Sequence, residues 1–280
     1  MTSQLRGSTS AASGRDSGPD EVLFIGNATL LIRYRGLTIL TDPNFMHAGE
    51  EVELGYGVTT RRLTDPAIEI DDLPDLDAVI LSHFHADHFD RVAEERLPRS
   101  IPIVTTPQAS DELAARGFRT LHPLVTWAST EVIADTATCT VRAMPGRHAP
   151  SLVSVALPDV MGSLLEFRDA DNESVVGLRV YLSGDTIMYE GVRAIADRES
   201  VIDLAFLHLG GTRVMGVTVT MDGDQGVELL EALRPRLAVP IHFDDYEAFK
   251  SPLSEFREAV ARAGLEDRVR YLERGQRLPL

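Results

Sequence analysis

Four side chains able to ligate a metal, His83, His85, Asp87 and His88, fall within six residues of the segment Leu81-Ser-His-Phe-His-Ala-Asp-His-Phe-Asp90. Neutral imidazole and carboxylate suit a borderline divalent cation, zinc first, with manganese or iron also accepted. Alternate residues of an extended segment point the same way, so His83 and His85 can grip one ion while Asp87 and His88 face a second.

The flanking residues say how the segment is held. Asp75 to Ser82 reads as a buried strand that ends where the ligands begin, and Asp87 to Arg96 reads as the following helix, stopped by Pro98. A cluster at the carboxyl end of a strand sits where α/β proteins place binding and catalytic groups. Three more strand ends carry a ligand type. His148 follows the strand Cys139 to Ala143, Asp185 follows Val175 to Leu182, and His242 follows Leu237 to Ile241. A further apolar strand, Ile202 to Leu207, runs into His208.

The rest of the chain supplies short strands and a few helices. Glu21 to Ile25, Ala28 to Tyr34 and Leu37 to Thr41 read as a meander joined by Gly-containing turns. Strand-like segments recur at Ile101 to Thr105, Arg119 to His122, Trp127 to Ile133, Val153 to Leu157 and Ser163 to Phe167, with a closing strand at Val269 to Leu272. Helix starts are marked by Thr106-Pro107, by Asp222 with Gln225 at capping-box spacing, and by Ser251-Pro252. A helix is also expected from about Tyr189 to Arg198. Many strands interleaved with a few helices suit two stacked sheets with helices outside. The stretch from Phe45 to Pro74 is long and weakly periodic, as substrate-shaping loops are. Residues 1–19 have the composition of a flexible tail, leaving 20–280 as one domain.

Composition narrows the partners. With 43 acidic and 27 basic residues the net charge is −16, which repels a phosphate backbone, so nucleic acid is not expected. No run reaches the ~18 apolar residues needed to span a bilayer, and a secretory signal is absent, so a cytoplasmic location is expected. The single Cys139 excludes a disulfide framework and a cysteine-rich zinc module, and reads as a small core residue. Lys250 is the only lysine, in a polar stretch ill-suited to Schiff-base chemistry. Homo-oligomerisation is compatible with this composition.

The motif Leu81 to Asp90, with Gly26-Asn-Ala-Thr29, Thr41-Asp-Pro43, Ser183-Gly-Asp-Thr186 and Pro240-Ile-His242, resembles the metallo-β-lactamase-fold superfamily. Within it the chain is similar to the branch containing ascorbate-6-phosphate lactonase and the phospholipase D that acts on N-acylphosphatidylethanolamines. The resemblance spans about residues 21–280. It implies an α/β, four-layer αββα fold: two stacked mixed sheets with helices on the outer faces. It also implies two divalent metal ions, the first on His83, His85 and His148, the second on Asp87, His88 and His242, with Asp185 bridging. Asp42 would orient a ligand histidine from behind. The implied reaction is attack by a metal-bridging hydroxide on a small soluble ester, lactone or phosphodiester. Asp87 could orient the nucleophile or take its proton, His208 could contact substrate or transfer a proton from the rim, and Tyr189 could donate to a developing oxyanion. The alternative is a non-hydrolytic metalloprotein on the same scaffold, either an iron redox protein or a ligand-binding regulator.

Overall fold

The computed structural model describes residues 3–6, 18–53, 59–150, 157–172, 174–199, 201–214 and 216–280. Ser3–Arg6 form a first short strand, β1. The meander follows as β2 (Glu21–Gly26), β3 (Thr29–Tyr34) and β4 (Leu37–Thr41), paired antiparallel. After a small hairpin of β5 (Glu51–Glu53) and β6 (Thr59–Arg61), the chain adds β7 (Ala78–Ile80), β8 (Ile103–Thr105) and β9 (Leu121–Pro123) in parallel beside β4. The final strand, β18 (Arg277–Pro279), returns to the far edge and pairs with β2.

A second mixed sheet of seven strands is built from β1, β10 (Ser129–Ile133), β11 (Ala137–Pro145), β12 (Met161–Asp169), β13 (Leu178–Leu182), β14 (Leu204–His208) and β17 (Leu237–Ile241), in that order. The short hairpin of β15 (Arg213–Val214) and β16 (Val217–Thr218) stands between β14 and β17 in sequence. Among the described residues the helices are α1 (Arg91–Arg96), α2 (Pro107–Ala115), α3 (Glu190–Arg193), α4 (Ile195–Arg198), α5 (Gly223–Leu233) and α6 (Leu253–Ala263).

Strand alternation sorts the apolar side chains into three layers of core. Val22 and Phe24 of β2 meet Val141, Leu165, Val180 and Phe206 between the sheets, while Leu23 and Ile25 turn outward to Ala93 of α1 and Leu113 of α2. On the far side, Ala205 and Leu207 pack against Leu230 of α5 and Phe256 of α6. The result is helix, sheet, sheet, helix, the expected four-layer arrangement. Cys139 is fully buried between the sheets, where burial pushes its thiol pKa up.

Several boundaries differ from expectation. Part of the segment expected to be a tail joins the second sheet, since β1 pairs parallel with β10. The helix after the motif starts at Arg91 rather than Asp87, because Asp90 is the cap: its carboxylate accepts the Ala93 N–H. The helix expected from Tyr189 to Arg198 is split at Ala194 into α3 and α4. Val269 to Leu272 makes only a backbone bridge to Ala238, and the closing strand is β18. Of the strand expected at Val153 to Leu157, residues up to 156 lie outside the described ones. Among the described residues, no helix is long and apolar enough to cross a membrane.

The topology concentrates strand ends. β4 and β7 run parallel, as do β13, β14 and β17, and two antiparallel steps give β11 the direction of β13. All these strands therefore finish at one edge of the sandwich. There the Met161 N–H donates to Ser82 O at 3.0 Å and ties the two sheets together.

Candidate metal centre

The seven residues expected as ligands converge on that edge in two groups. The ligand atoms of His83, His85 and His148 lie within 4.8 Å of one another, and so do those of Asp87, His88, Asp185 and His242. All seven are buried except His85, which is half-buried. Beyond β7, residues 82–90 form a run of turns rather than helix, so Asp87 and His88 are free to face the cleft.

Four of the five imidazoles are held by one nitrogen and present the other. His148 Nδ1 donates to Val219 O and His242 Nδ1 to Leu209 O, both at 3.0 Å, leaving Nε2 as the inward atom. His88 Nδ1 lies 3.4 Å from Asp42 Oδ2, while its Nε2 lies 3.4 Å from Asp185 Oδ1 and 3.8 Å from Asp87 Oδ2. His83 Nδ1 rests on Ser82 Oγ at 2.9 Å, with His83 Nε2 2.9 Å from His85 Nδ1. Backbone carbonyls and carboxylates behind imidazoles are what orient metal-binding histidines and select their tautomers.

Four of the inner atoms lack protein partners. His88 Nε2, His148 Nε2, Asp87 Oδ1 and Asp185 Oδ1 are buried and have no hydrogen bond. Buried polar atoms without partners are costly, so convergent donors of this kind call for a ligand. A divalent cation fits the set chemically, because all the donors are imidazole nitrogen or carboxylate oxygen.

The electrostatics agree. Burial pushes the pKa of His83, His85 and His148 down, His85 to about 4, so each is the neutral lone-pair form that a metal requires. Burial also opposes charge on His88 and His242, but the Asp185 and Asp87 carboxylates overcome it and raise both. Two buried carboxylates thus draw positive charge into the cleft, a demand that a cation meets. Burial alone would raise Asp42, yet hydrogen bonds from His208 and His88 outweigh it and hold its pKa at about 2.

The backbone is strained where the site needs it. Asn27, Asp42 and His242 are left-handed at φ 51°, 36° and 59°, a region that non-glycine residues seldom occupy. Asn27 locks two segments together: its Nδ2 donates to Asp87 O at 2.6 Å, and its carbonyl accepts the His242 N–H. Thr220 Oγ1 donates to Asp185 Oδ2 at 3.0 Å, which turns Oδ1 inward.

Two expected catalytic residues are held by protein partners. His208 is 1% exposed, not on the rim, with Nδ1 at Ser183 Oγ and Nε2 3.5 Å from Asp42 Oδ2. Tyr189 is half-buried against the apolar layer that includes Leu230 and Phe256, and its ring carries the Arg147 guanidinium 4.1 Å from its centre. His47, in the long loop, is half-exposed and pairs with Asp65 and Glu69.

Sequence reasoning did not single out Ser82, Asp90, Ser183 or Thr220. Ser82 and Ser183 each end a strand one or two residues before a ligand, which is the signal that could have found them. The described part of the loop expected to shape the pocket is hydrogen-bonded to the fold. Arg62 N donates to Glu50 O, Leu63 N to Asp245 O and Glu247 N to Arg61 O, so the loop lies along the segment that follows His242.

Comparison with known proteins places this architecture. Residues 38–243 match the beta-lactamase superfamily domain. A UPF0173 metal-dependent hydrolase of Deinococcus radiodurans is 29% identical over 207 residues, covering 71% of this chain and 78% of that protein. The N-acyl-phosphatidylethanolamine-hydrolyzing phospholipase D 1 of Caenorhabditis elegans is 26% identical over 263 residues, covering 87% of this chain and 71% of that one. Among solved structures, the isothiocyanate hydrolase from Delia radicum gut bacteria superposes with a TM-score of 0.77 at 21% identity, over 93% of this chain and 99% of its own. By its four layers and by the match across residues 38–243, the chain belongs to the beta-lactamase superfamily.

Proposed function

We propose that this chain is a metal-dependent hydrolase with a binuclear site, acting in the cytoplasm on a small soluble ester, lactone or phosphodiester rather than on nucleic acid. The observation that carries the reading is the convergence of seven buried or half-buried donors, four of which, Asp87, His88, His148 and Asp185, turn an inner atom without a hydrogen-bond partner into the cleft.

His83, His85 and His148 would hold one divalent cation and Asp87, His88 and His242 the other, with Asp185 reaching both. Zinc is the first expectation, with manganese or iron accepted by the same donors. When bound, such a pair supplies Lewis acidity and lowers the pKa of water between the ions, giving a nucleophile near neutral pH.

The protein's own groups do the positioning. Val219 O, Leu209 O and Asp42 fix the ring orientations of His148, His242 and His88. Thr220 leaves one Asp185 oxygen free to face the cleft. Asp87 Oδ1, unpartnered and buried, would take a proton from an attacking water. Phe249, whose ring centre is 4.3 Å from that of His242, gives the site an apolar wall that excludes water from one side.

The test is metal content by plasma mass spectrometry on protein purified without added metal or chelator, followed by a panel of lactones, carboxylic esters and phosphodiesters. About two zinc or manganese ions per chain, with hydrolysis abolished in His85→Ala and Asp185→Asn while circular dichroism is unchanged, is the expected result. No metal after reconstitution, or full activity in both variants, would overturn the assignment. Two irons without hydrolysis would favour the redox alternative.

A further inference from the structure

Asp42 has more partners than the orientation of one imidazole requires. Its Oδ1 accepts the Ser82 N–H at 2.7 Å, and its Oδ2 is shared between His88 Nδ1 at 3.4 Å and His208 Nε2 at 3.5 Å. All three side chains are buried, and the His88 and His208 rings stack at 17° with centres 6.0 Å apart.

His208 is itself pinned from behind. Its backbone N–H donates to Ser183 Oγ at 2.9 Å, and its ring Nδ1 lies 3.1 Å from the same oxygen. Asp42 decides where the ring hydrogen sits, because a bare Nε2 lone pair facing a buried carboxylate would be repelled. Nε2 therefore carries the hydrogen and faces Oδ2 across 3.5 Å, a polar contact rather than a formed hydrogen bond.

We propose that His208 is a positioning residue: it holds the Asp42 carboxylate in place and so aims His88 at the cluster of Asp87, Asp185 and His242. The inference rests on the reading of His88 as a metal ligand. Without the His208 ring against Oδ2, the Asp42 carboxylate is freer to turn about its last torsion, and the acceptor behind His88 turns with it. The two cation sites depend on this chain of contacts unequally. His148 leans on Val219 O, which touches neither Asp42 nor His208, and His83 rests on Ser82 Oγ, tied to Asp42 only through the Ser82 backbone N–H, whereas His88 faces Asp42 Oδ2 directly. A defect here therefore falls mainly on the cation held by His88.

The experiment is a cobalt(II) titration of the full chain followed in the visible spectrum, with a competing chelator to set the affinities. Three variants are compared with the parent protein. His208→Phe keeps a ring and removes both nitrogens. His208→Gln keeps a donor for Asp42. Ser183→Ala removes the Oγ that accepts the His208 N–H and donates to Gly184 O, and does not touch Asp42.

The parent is expected to bind two cobalt ions. His208→Phe is expected to keep one at parental affinity and bind the other about 10- to 100-fold more weakly, the usual scale for losing a group behind a metal ligand. Its ligand-field bands should change, and His208→Gln should restore them. Ser183→Ala should weaken the same ion by less. Parental affinity for both ions in His208→Phe, or in Ser183→Ala should His208→Phe fail to fold, would overturn the proposal. So would equal weakening of both sites, the mark of general loosening, or loss of a third equivalent, the mark of a cation between Asp42, His88 and His208. Fewer than two ions on the parent would overturn the binuclear reading and this inference with it.

Discussion

Replacing Asp90 by alanine should destabilise the protein more than an ordinary lost helix cap does. The Asp90 side chain is 1% exposed and accepts three backbone hydrogen bonds. Oδ1 takes the Ala93 N–H at 2.8 Å, starting α1, and Oδ2 takes the Phe45 and Met46 N–H groups at 2.5 and 2.6 Å. A lost cap alone costs about 1 kcal/mol. Phe45 and Met46 are also buried, so water cannot replace the acceptor, and each orphaned N–H adds about 1–3 kcal/mol. The gross cost is therefore about 3–7 kcal/mol. One effect opposes it. Burial raises the Asp90 pKa despite those hydrogen bonds, so removing the carboxylate relieves some desolvation. Asp90→Asn separates the two contributions, because it discards the charge but keeps an oxygen for one of the two sides. Urea unfolding of parent, Asp90→Ala and Asp90→Asn should give midpoints in the order parent, Asn, Ala. A loss in the alanine variant below about 1 kcal/mol would refute the reasoning, since it would mean that the Phe45 and Met46 amides find other partners. A midpoint for asparagine above the parent would mean instead that desolvation of the carboxylate wins.

Other perturbations probe the remaining supports. Gly184 is at φ +60°, and a Cβ there would lie 2.7 Å from Met161 O, so Gly184→Ala must displace Asp185; thermal unfolding should show a loss of about 1–3 kcal/mol, and metal analysis a reduced content. Arg62, fully buried, faces Asp245 at 3.7 Å and Tyr246 Oη at 3.4 Å, so Arg62→Met should cost about 3 kcal/mol in denaturant unfolding, and less in a background of Asp245→Asn. The hydrogen bond to Glu69 raises the His47 pKa above its usual value, against a small opposing effect of burial. A raised histidine pKa gives stability that is present in full below the unfolded value and is lost as pH rises through the folded one. Proton NMR should place the His47 midpoint above 6.5, and Glu69→Gln should bring it down; an unchanged midpoint in that variant would remove the Glu69 contact from the account.

How much of the centre could be read from the chain alone depends on what each residue answers to. His83, His85, Asp87 and His88 were legible because four ligand types crowd a single turn, and local spacing was enough. The start of α1 was not, since Asp87 and Asp90 are equally good caps by type. What separates them is tertiary: Asp87 is drawn to His242 and Asp90 to the amides of Phe45 and Met46. His208 and His242 show the same limit more sharply. Both end parallel neighbours, β14 and β17, but the register pairs His208 with Ile241, so His242 lies one residue beyond the ladder. Within β14, Leu204 and Phe206 face the other sheet, and His208, the next even position, continues their line between the sheets to Asp42. His242 has left the pleat, and its left-handed backbone turns the ring up into the cleft. The alternation Leu204, Phe206, His208 was present in the chain and already said that this histidine faces inward. What it could not say is that Asp42, at the tip of a strand in the opposite sheet, would be waiting there, because sheet-to-sheet stacking has no local signature. A histidine past the last ladder pair, as His83, His148 and His242 all are, is thus free to turn into the cleft; His208, held at that pair, is a core residue, and its chemistry must act through another side chain.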